Sequence, residues 1–304
     1  MTEPLQPKAQ ANRISNVLRI VLGEARFPVE ADQVAIQYSD QCFPDSPVDR
    51  VEGHDLEGFE GMLAANKARS KWRILYNSAV TSSGRKRFTV AHEFGHYLLH
   101  RHQRDRFECG DDDIETGDDE KQDIEADADK FASTLLMPFD DFHKQVDGHT
   151  VSFDLLGHCA DRYGVSLTAA ALRWTEIAEK RAVLVASRDD HMLWAKSNEA
   201  AFKSGAVFAT RKRTIALPSE ALAYSDNCSA TNQTQSIKAQ VWFPREPAYV
   251  ELSEMTKVAG NYDYTLTLLL MPDAEWRQPQ HDDEQPEEDT LDRFINSGQL
   301  PDRK

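Results

Sequence analysis

The chain has 304 residues, 40% hydrophobic and 28% charged, with a formal net charge of −16. That length exceeds what one small core fills, so several domains are expected, and the acidic balance argues against a protein built around nucleic acid. No apolar stretch approaches the ~18 residues of a membrane-spanning helix, and Met1-Thr-Glu-Pro-Leu-Gln6 lacks a basic region leading into an apolar run, so a cytoplasmic location is expected.

The charge is concentrated. Residues 105–129 hold 13 Asp/Glu against Arg106 and Lys121, a balance of −11; residues 273–304 hold 10 Asp/Glu against four basic residues, a balance of −6. The rest of the chain is near neutral. Cys42, Cys109, Cys159 and Cys228 are scattered and form no Cys-x-x-Cys, so they read as reduced thiols in packing positions.

In chain order, residues 8–24 place Ile14, Val17, Leu18, Ile20, Val21 and Leu22 as in an amphipathic helix ending near Gly23. Pro28 precedes a short helix with Val34, Ala35 and Tyr38 on one face, and residues 43–54 are turn-rich. Gly58–Ala64 and Trp72–Tyr76 read as strands, joined as a hairpin across Lys67–Ser70. This small sheet could support a helix or offer its edge to an extended peptide.

A helix beginning within Arg85–Thr89 and running to about Arg101 carries His92-Glu93-Phe-Gly-His96. Residues four apart share a helix face, so the two imidazoles can grip one ion, and Glu93 sits beside them where it can take a proton from water. A catalytic zinc site needs a third protein ligand. His102 has the spacing of a three-histidine site, but the helix-breaking Gly of that pattern is Leu99 here. His100 lies eight residues beyond His92, about 12 Å along a helix. His100 and His102 therefore read as histidines outside the ligand set.

Residues 103–119 read as an acidic loop, and the segment 108–120 is the expected cover of the cleft. A helix from about Glu120 to Met137 follows, ended by Pro138. In it Glu125 and Asp129 share one face, with Glu125 as third ligand and Asp129 accepting the N–H of a ligating imidazole. Asp123 and Asp127 are rivals; the core-facing positions of Phe131 and Ala132 favour Glu125 and Asp129.

Residues 139–181 form a further helical section, in which Ala160-Asp-Arg-Tyr-Gly164-Val-Ser166 has helix-turn-helix spacing. Residues 151–181 carry four acids and four bases, a zero balance that favours packing over phosphate contact, so direct DNA binding is not expected. Residues 182–272 change period: Ala182–Ala186, His191–Trp194, Ala239–Phe243, Tyr249–Leu252 and Tyr264–Leu270 read as strands of a separate α/β domain. Residues 273–304 read as an acidic disordered tail.

Arg87–His100 around the two histidines, followed by Glu125-x-x-Ala128-Asp129-x-Phe131-Ala132-x-x-Leu135-Leu-Met-Pro138, resembles the ImmA/IrrE family of zinc metallopeptidases, with a gluzincin-like ligand arrangement. Ile74–Asn77 and Gly164–Ser166 fit the same pattern. The resemblance implies an α+β chain: a zincin-like peptidase domain over 1–138, the helix-turn-helix-like section over 139–181, and a sensor domain of GAF-like type over 182–272. It further implies one Zn²⁺ held by His92, His96 and Glu125, Glu93 as the catalytic base, and cleavage of a protein substrate, a DNA-binding repressor. The alternatives are a zinc-binding regulator without catalysis and a toxin–antitoxin or phage-associated component acting by binding.

Overall fold

The computed structural model describes residues 6–273 apart from residues 57, 110–118, 211–212, 226, 229–231 and 260–262. The core of the expected acidic cover and the tail from residue 274 therefore lie outside the described residues. The chain is mixed α and β and divides into two compact units. Of the described residues, the first takes those up to His149 together with His158–Ser166; the second takes Thr150–Gly157 and those from Leu167 to Asp273. The division runs through the helical section of 139–181.

The first unit opens with α1 (Pro7–Leu22). Its inner face is Gln10, Ala11, Ile14 and Ser15, while Val17, Ile20 and Val21 stand exposed. Apolar residues along the last turn therefore do not all belong to the core stripe. A 3-10 turn at Gly23–Arg26 leads to α2 (Ala31–Cys42), which buries Val34 and Ala35 as its 3.6-residue period requires.

The sheet of this unit is larger than the expected hairpin. Strands β1 (Val48–His54), β2 (Gly61–Ala65), β3 (Trp72–Asn77) and β4 (Arg106–Cys109) lie in the order β1-β3-β2-β4. The hairpin is present as the antiparallel pair β2–β3. Two strands correct the sequence reading. β1 falls where a turn-rich stretch was expected, and it pairs parallel to β3 through Val51↔Ile74 and Gly53↔Tyr76. β4 falls inside the expected loop of 103–119 and pairs antiparallel to β2. Both carry many charged residues because only one face is covered: in β4, Phe107 and Cys109 are buried while Arg106 is exposed.

Across this sheet lies α3 (Ser83–Leu99), started by the Ser82 hydroxyl, which accepts from the Arg85 N–H. Every residue from Thr89 to Leu98 is buried. The sheet covers one side of α3, and α2 and α4 (Asp119–Leu136) pack on others. Phe94, Tyr97, Phe131, Leu135, Leu63, Ile74 and Trp72 form the core between them. Pro138 then starts α5 (Phe139–Val146).

The helix α6 (Phe153–Tyr163) ends at Gly164, whose φ of +60° is the left-handed conformation that favours glycine at a helix C-terminus. The helix α7 (Leu167–Ile177) follows. The second unit is built on a six-stranded antiparallel sheet. Its strands are β5 (Arg181–Arg188), β6 (His191–Ser197), β7 (Ile215–Ala216), β8 (Gln233–Lys238), β9 (Glu251–Val258) and β10 (Thr265–Met271), in the order β7-β6-β5-β10-β9-β8. The short α8 (Glu199–Lys203) lies after β6.

The expected strand at Ala239–Phe243 is instead a 3-10 turn over Ala239–Val241, after which Trp242 and Phe243 enter the core. The strand of that region is Gln233–Lys238, whose side chains alternate between half-buried and exposed. Its polar composition suits an edge strand with one solvated face and hid it from a hydrophobic reading. Among the described residues no helix is long and apolar enough to cross a membrane.

Candidate metal centre

Two helices and one strand edge meet at the site. On α3, His92 and His96 stand one turn apart, with Nε2 atoms 3.0 Å from each other. From α4, Glu125 brings Oε2 to 3.1 Å from His92 Nε2 and 3.4 Å from His96 Nε2. The close approach of the helices depends on Gly95: a Cβ there would lie 3.1 Å from the Phe131 ring and 3.2 Å from the Ala128 Cα. Glycine on α3 opposite alanine on α4 lets a short-armed acid on one helix reach an imidazole on the other.

Asp129, one turn beyond Glu125, places Oδ1 2.7 Å from His92 Nδ1. With that nitrogen donating, His92 Nε2 presents its lone pair to the cluster. His96 Nδ1 lies 3.2 Å from His100 Nδ1, an interaction that likewise keeps His96 Nε2 inward. The rival acids are elsewhere: Asp123 and Asp127 are not part of the cluster, and His102 is exposed.

Burial pulls the titration of His96 below that of an ordinary imidazole. Burial, then the neighbouring His96, takes His100 down to about 3. Both are thus held in the uncharged form. His92 is also buried, but Asp129 and Glu125 outweigh the desolvation and raise it well above the usual value. The Glu125 carboxyl, despite burial, is held far below the carboxylate range by His96 and His92. The pocket therefore favours positive charge between one carboxylate and two imidazoles.

A fourth donor completes the cluster, and the sequence reading missed it. Cys109 Sγ lies 3.3 Å from His92 Nε2 and 3.4 Å from His96 Nε2. One donor atom from each of His92, His96, Cys109 and Glu125 falls within 4.8 Å of every other. With Zn–N about 2.0 Å and Zn–S about 2.3 Å, the N–S edges of a zinc tetrahedron are about 3.5 Å, close to the two Sγ–Nε2 separations, and the nitrogen, oxygen and sulfur donors suit a small divalent ion. Cys109 is buried as expected of a packing thiol, and its sulfur also faces the two imidazoles. Cys42 and Cys228 are corrected, being exposed, while Cys159 is buried as expected. The alternation Phe107–Cys109, with a partner glycine on β2, is the signal that could have found Cys109, but only once β4 is recognised as a strand.

Glu93 is fully buried. Its carboxylate lies over β2 at Gly61, where an added Cβ would sit 2.5 Å from Glu93 Oε1 and 2.6 Å from Thr89 Cγ2. The missing side chain at Gly61 is the space that the carboxylate occupies.

No curated protein matches the chain at a significant level. A family model does: residues 50–175 match the IrrE N-terminal-like domain of the Peptidase M78 family. That stretch contains most of β1, all of β2 to β4, both α3 and α4, and all four cluster residues. Over residues 50–175 the chain is thus similar to the IrrE N-terminal-like domain of a family generally of zinc-metallopeptidase type.

Proposed function

We propose that the chain is a zinc-dependent endopeptidase of the cytoplasm that cuts a partner protein, a helix-turn-helix transcriptional repressor, and so relieves repression. One observation carries the reading: His92, His96 and Glu125 aim a donor each at a common point, with Glu93 next to His92 on the same buried helix. Zinc bound to these donors would supply a Lewis acid that makes water acidic near neutral pH and polarises a peptide carbonyl.

The residues of the chain divide the remaining work. Asp129 fixes the His92 ring and its tautomer through the 2.7 Å contact at Nδ1. Glu93 accepts a proton from the attacking water and returns it to the leaving amine. Its burial keeps bulk water from competing for that proton. β4 is the last strand in the sheet order, so an extended peptide can add beside it and run past the site. The partner class comes from the family resemblance, and residues 182–272 are read as a GAF-like sensor domain built on the six-stranded antiparallel sheet.

The test pairs the metal-loaded chain with small helix-turn-helix repressors from the same genome and follows cleavage by mass spectrometry. Cleavage of one repressor that stops in Glu93→Gln, with metal content unchanged, supports the reading. Equal cleavage by the Gln variant, or none of any repressor, counts against it.

A further inference from the structure

A catalytic zinc site keeps three protein ligands and leaves the fourth position to water, whereas four protein ligands make a closed site. This chain brings four donors together, and the fourth is the sulfur of Cys109. We propose that Cys109 binds the metal as a fourth ligand, so that the site is closed in the resting protein and opens only when the sulfur withdraws. This rests on the metal-centre reading above and adds a regulatory ligand to it.

The sulfur's position follows from the sheet. Residues two apart on a strand share a face, and in β4 the inward pair is Phe107 and Cys109. Phe107 stacks on the His96 ring with centroids 4.8 Å apart and planes 15° apart. That contact fixes the depth and register of β4 against α3. Cys109 is paired with Gly61 across to β2, and its carbonyl accepts from the Glu60 N–H at 2.9 Å. The same strand alignment that seats the ring on His96 therefore carries Sγ to both Nε2 atoms. Cys109 is only 6% exposed, so solvent does not compete for the thiol.

Charge supports the same assignment. Two neutral imidazoles, one carboxylate and one thiolate together neutralise a divalent ion, and a soft thiolate is a preferred zinc donor. With sulfur in the fourth place, the position a nucleophilic water would need is filled. Opening requires Sγ to leave and water to take its place, the thiolate gaining a proton as it goes. β4 is four residues long and is an edge of the sheet, so moving it disturbs less packing than moving α3 or α4. Cys109 is a positioning and gating residue in this scheme, not a catalytic one.

The test uses the full chain loaded with cobalt(II) in place of zinc. The expected wild-type protein holds one cobalt per chain and has a near-ultraviolet thiolate-to-cobalt charge-transfer band. Cys109→Ser should keep the ion and lose that band. Acetohydroxamate, which chelates an open metal site, should perturb the cobalt spectrum of Cys109→Ser at a concentration at least ~10-fold lower than it needs with wild type, since a closed majority weakens apparent binding in proportion. A wild-type protein that binds cobalt without the band overturns the assignment of the ligand. A wild type that takes acetohydroxamate as readily as the serine variant overturns the closed resting state. If wild type takes up neither zinc nor cobalt, the metal-centre reading itself fails, an outcome distinct from one ion bound by nitrogen and oxygen alone. Should Cys109→Ser not fold, X-ray absorption on the wild-type zinc protein decides: a sulfur shell at about 2.3 Å supports the proposal, and its absence overturns it.

Discussion

Asp129 Oδ1 lies 2.7 Å from His92 Nδ1, and both groups are buried. This contact turns a histidine near an acid into a histidine with a fixed tautomer and an inward lone pair. Removing such a supporting carboxylate costs ~10–100-fold in metal affinity. Asp129→Ala should therefore lose metal to a competing chromophoric chelator at that ratio, while Asp129→Asn, whose carbonyl still accepts the N–H, should lose less. Equal affinity in Asp129→Ala and wild type would mean that the contact does not orient His92.

The choice between acid and histidine as third ligand is tested by metal content. Glu125→Ala should bind metal too weakly to survive dialysis. His102→Ala, at an exposed position outside the cluster, should retain one ion per chain. The reverse pattern would replace Glu125 by His102. Chelation of wild type should also lower its midpoint of thermal unfolding, because an ion present at ~1,000 times its dissociation constant stabilises the folded state by about 4 kcal/mol.

Gly61 makes the sharpest steric claim in the site. A methyl there would meet Glu93 Oε1 at 2.5 Å and Thr89 Cγ2 at 2.6 Å, both on a buried helix. Gly61→Ala must displace the Glu93 carboxylate or push β2 away from α3. Overpacking of this kind costs about 1–3 kcal/mol of stability. If Glu93 is the proton carrier, turnover should fall by about 10²-fold or more with metal content preserved. Metal loss with normal turnover per bound ion would place Gly61 on the ligand side of the site rather than beside the base.

The sequence made some of this legible and hid the rest for identifiable reasons. His92, His96, Glu125 and Asp129 could be chosen because helical spacing puts each pair on one face, and Phe131 and Ala132 fix which face turns inward. The structure brings these four together. Cys109 could not be chosen, because its neighbours are the charged Arg106 and Glu108 and a run of acids, which look like loop. An edge strand needs only one apolar face, and Phe107 and Cys109 alone supply it. β1 and β8 were hidden by the same effect, and Trp242 and Phe243 misled in the opposite sense, as buried residues that follow a 3-10 turn rather than lie in a strand.

Away from the metal centre, Asp141 predicts how the first unit responds to acid. Its side chain is 2% exposed and accepts from Arg162 Nε at 2.7 Å, Arg162 Nη2 at 2.9 Å and the Tyr163 hydroxyl at 2.7 Å. Burial alone would raise the carboxyl, but the bonds from Arg162 and Tyr163 outweigh it and hold it below its usual value. A carboxyl with a depressed folded value contributes stability that is present above the unfolded value, about 3.9, and is lost as pH falls through the folded one. Asp141→Asn removes the charge that Arg162 and Arg26 face, and should cost about 2–4 kcal/mol at pH 7. The gap between wild type and variant should then narrow as pH drops below ~4, since wild type loses there what the variant never had. Amide exchange of α5 in urea, measured from pH 7 down to pH 3, reads this gap directly. A gap that stays constant across the range would show that Asp141 contributes shape rather than charge.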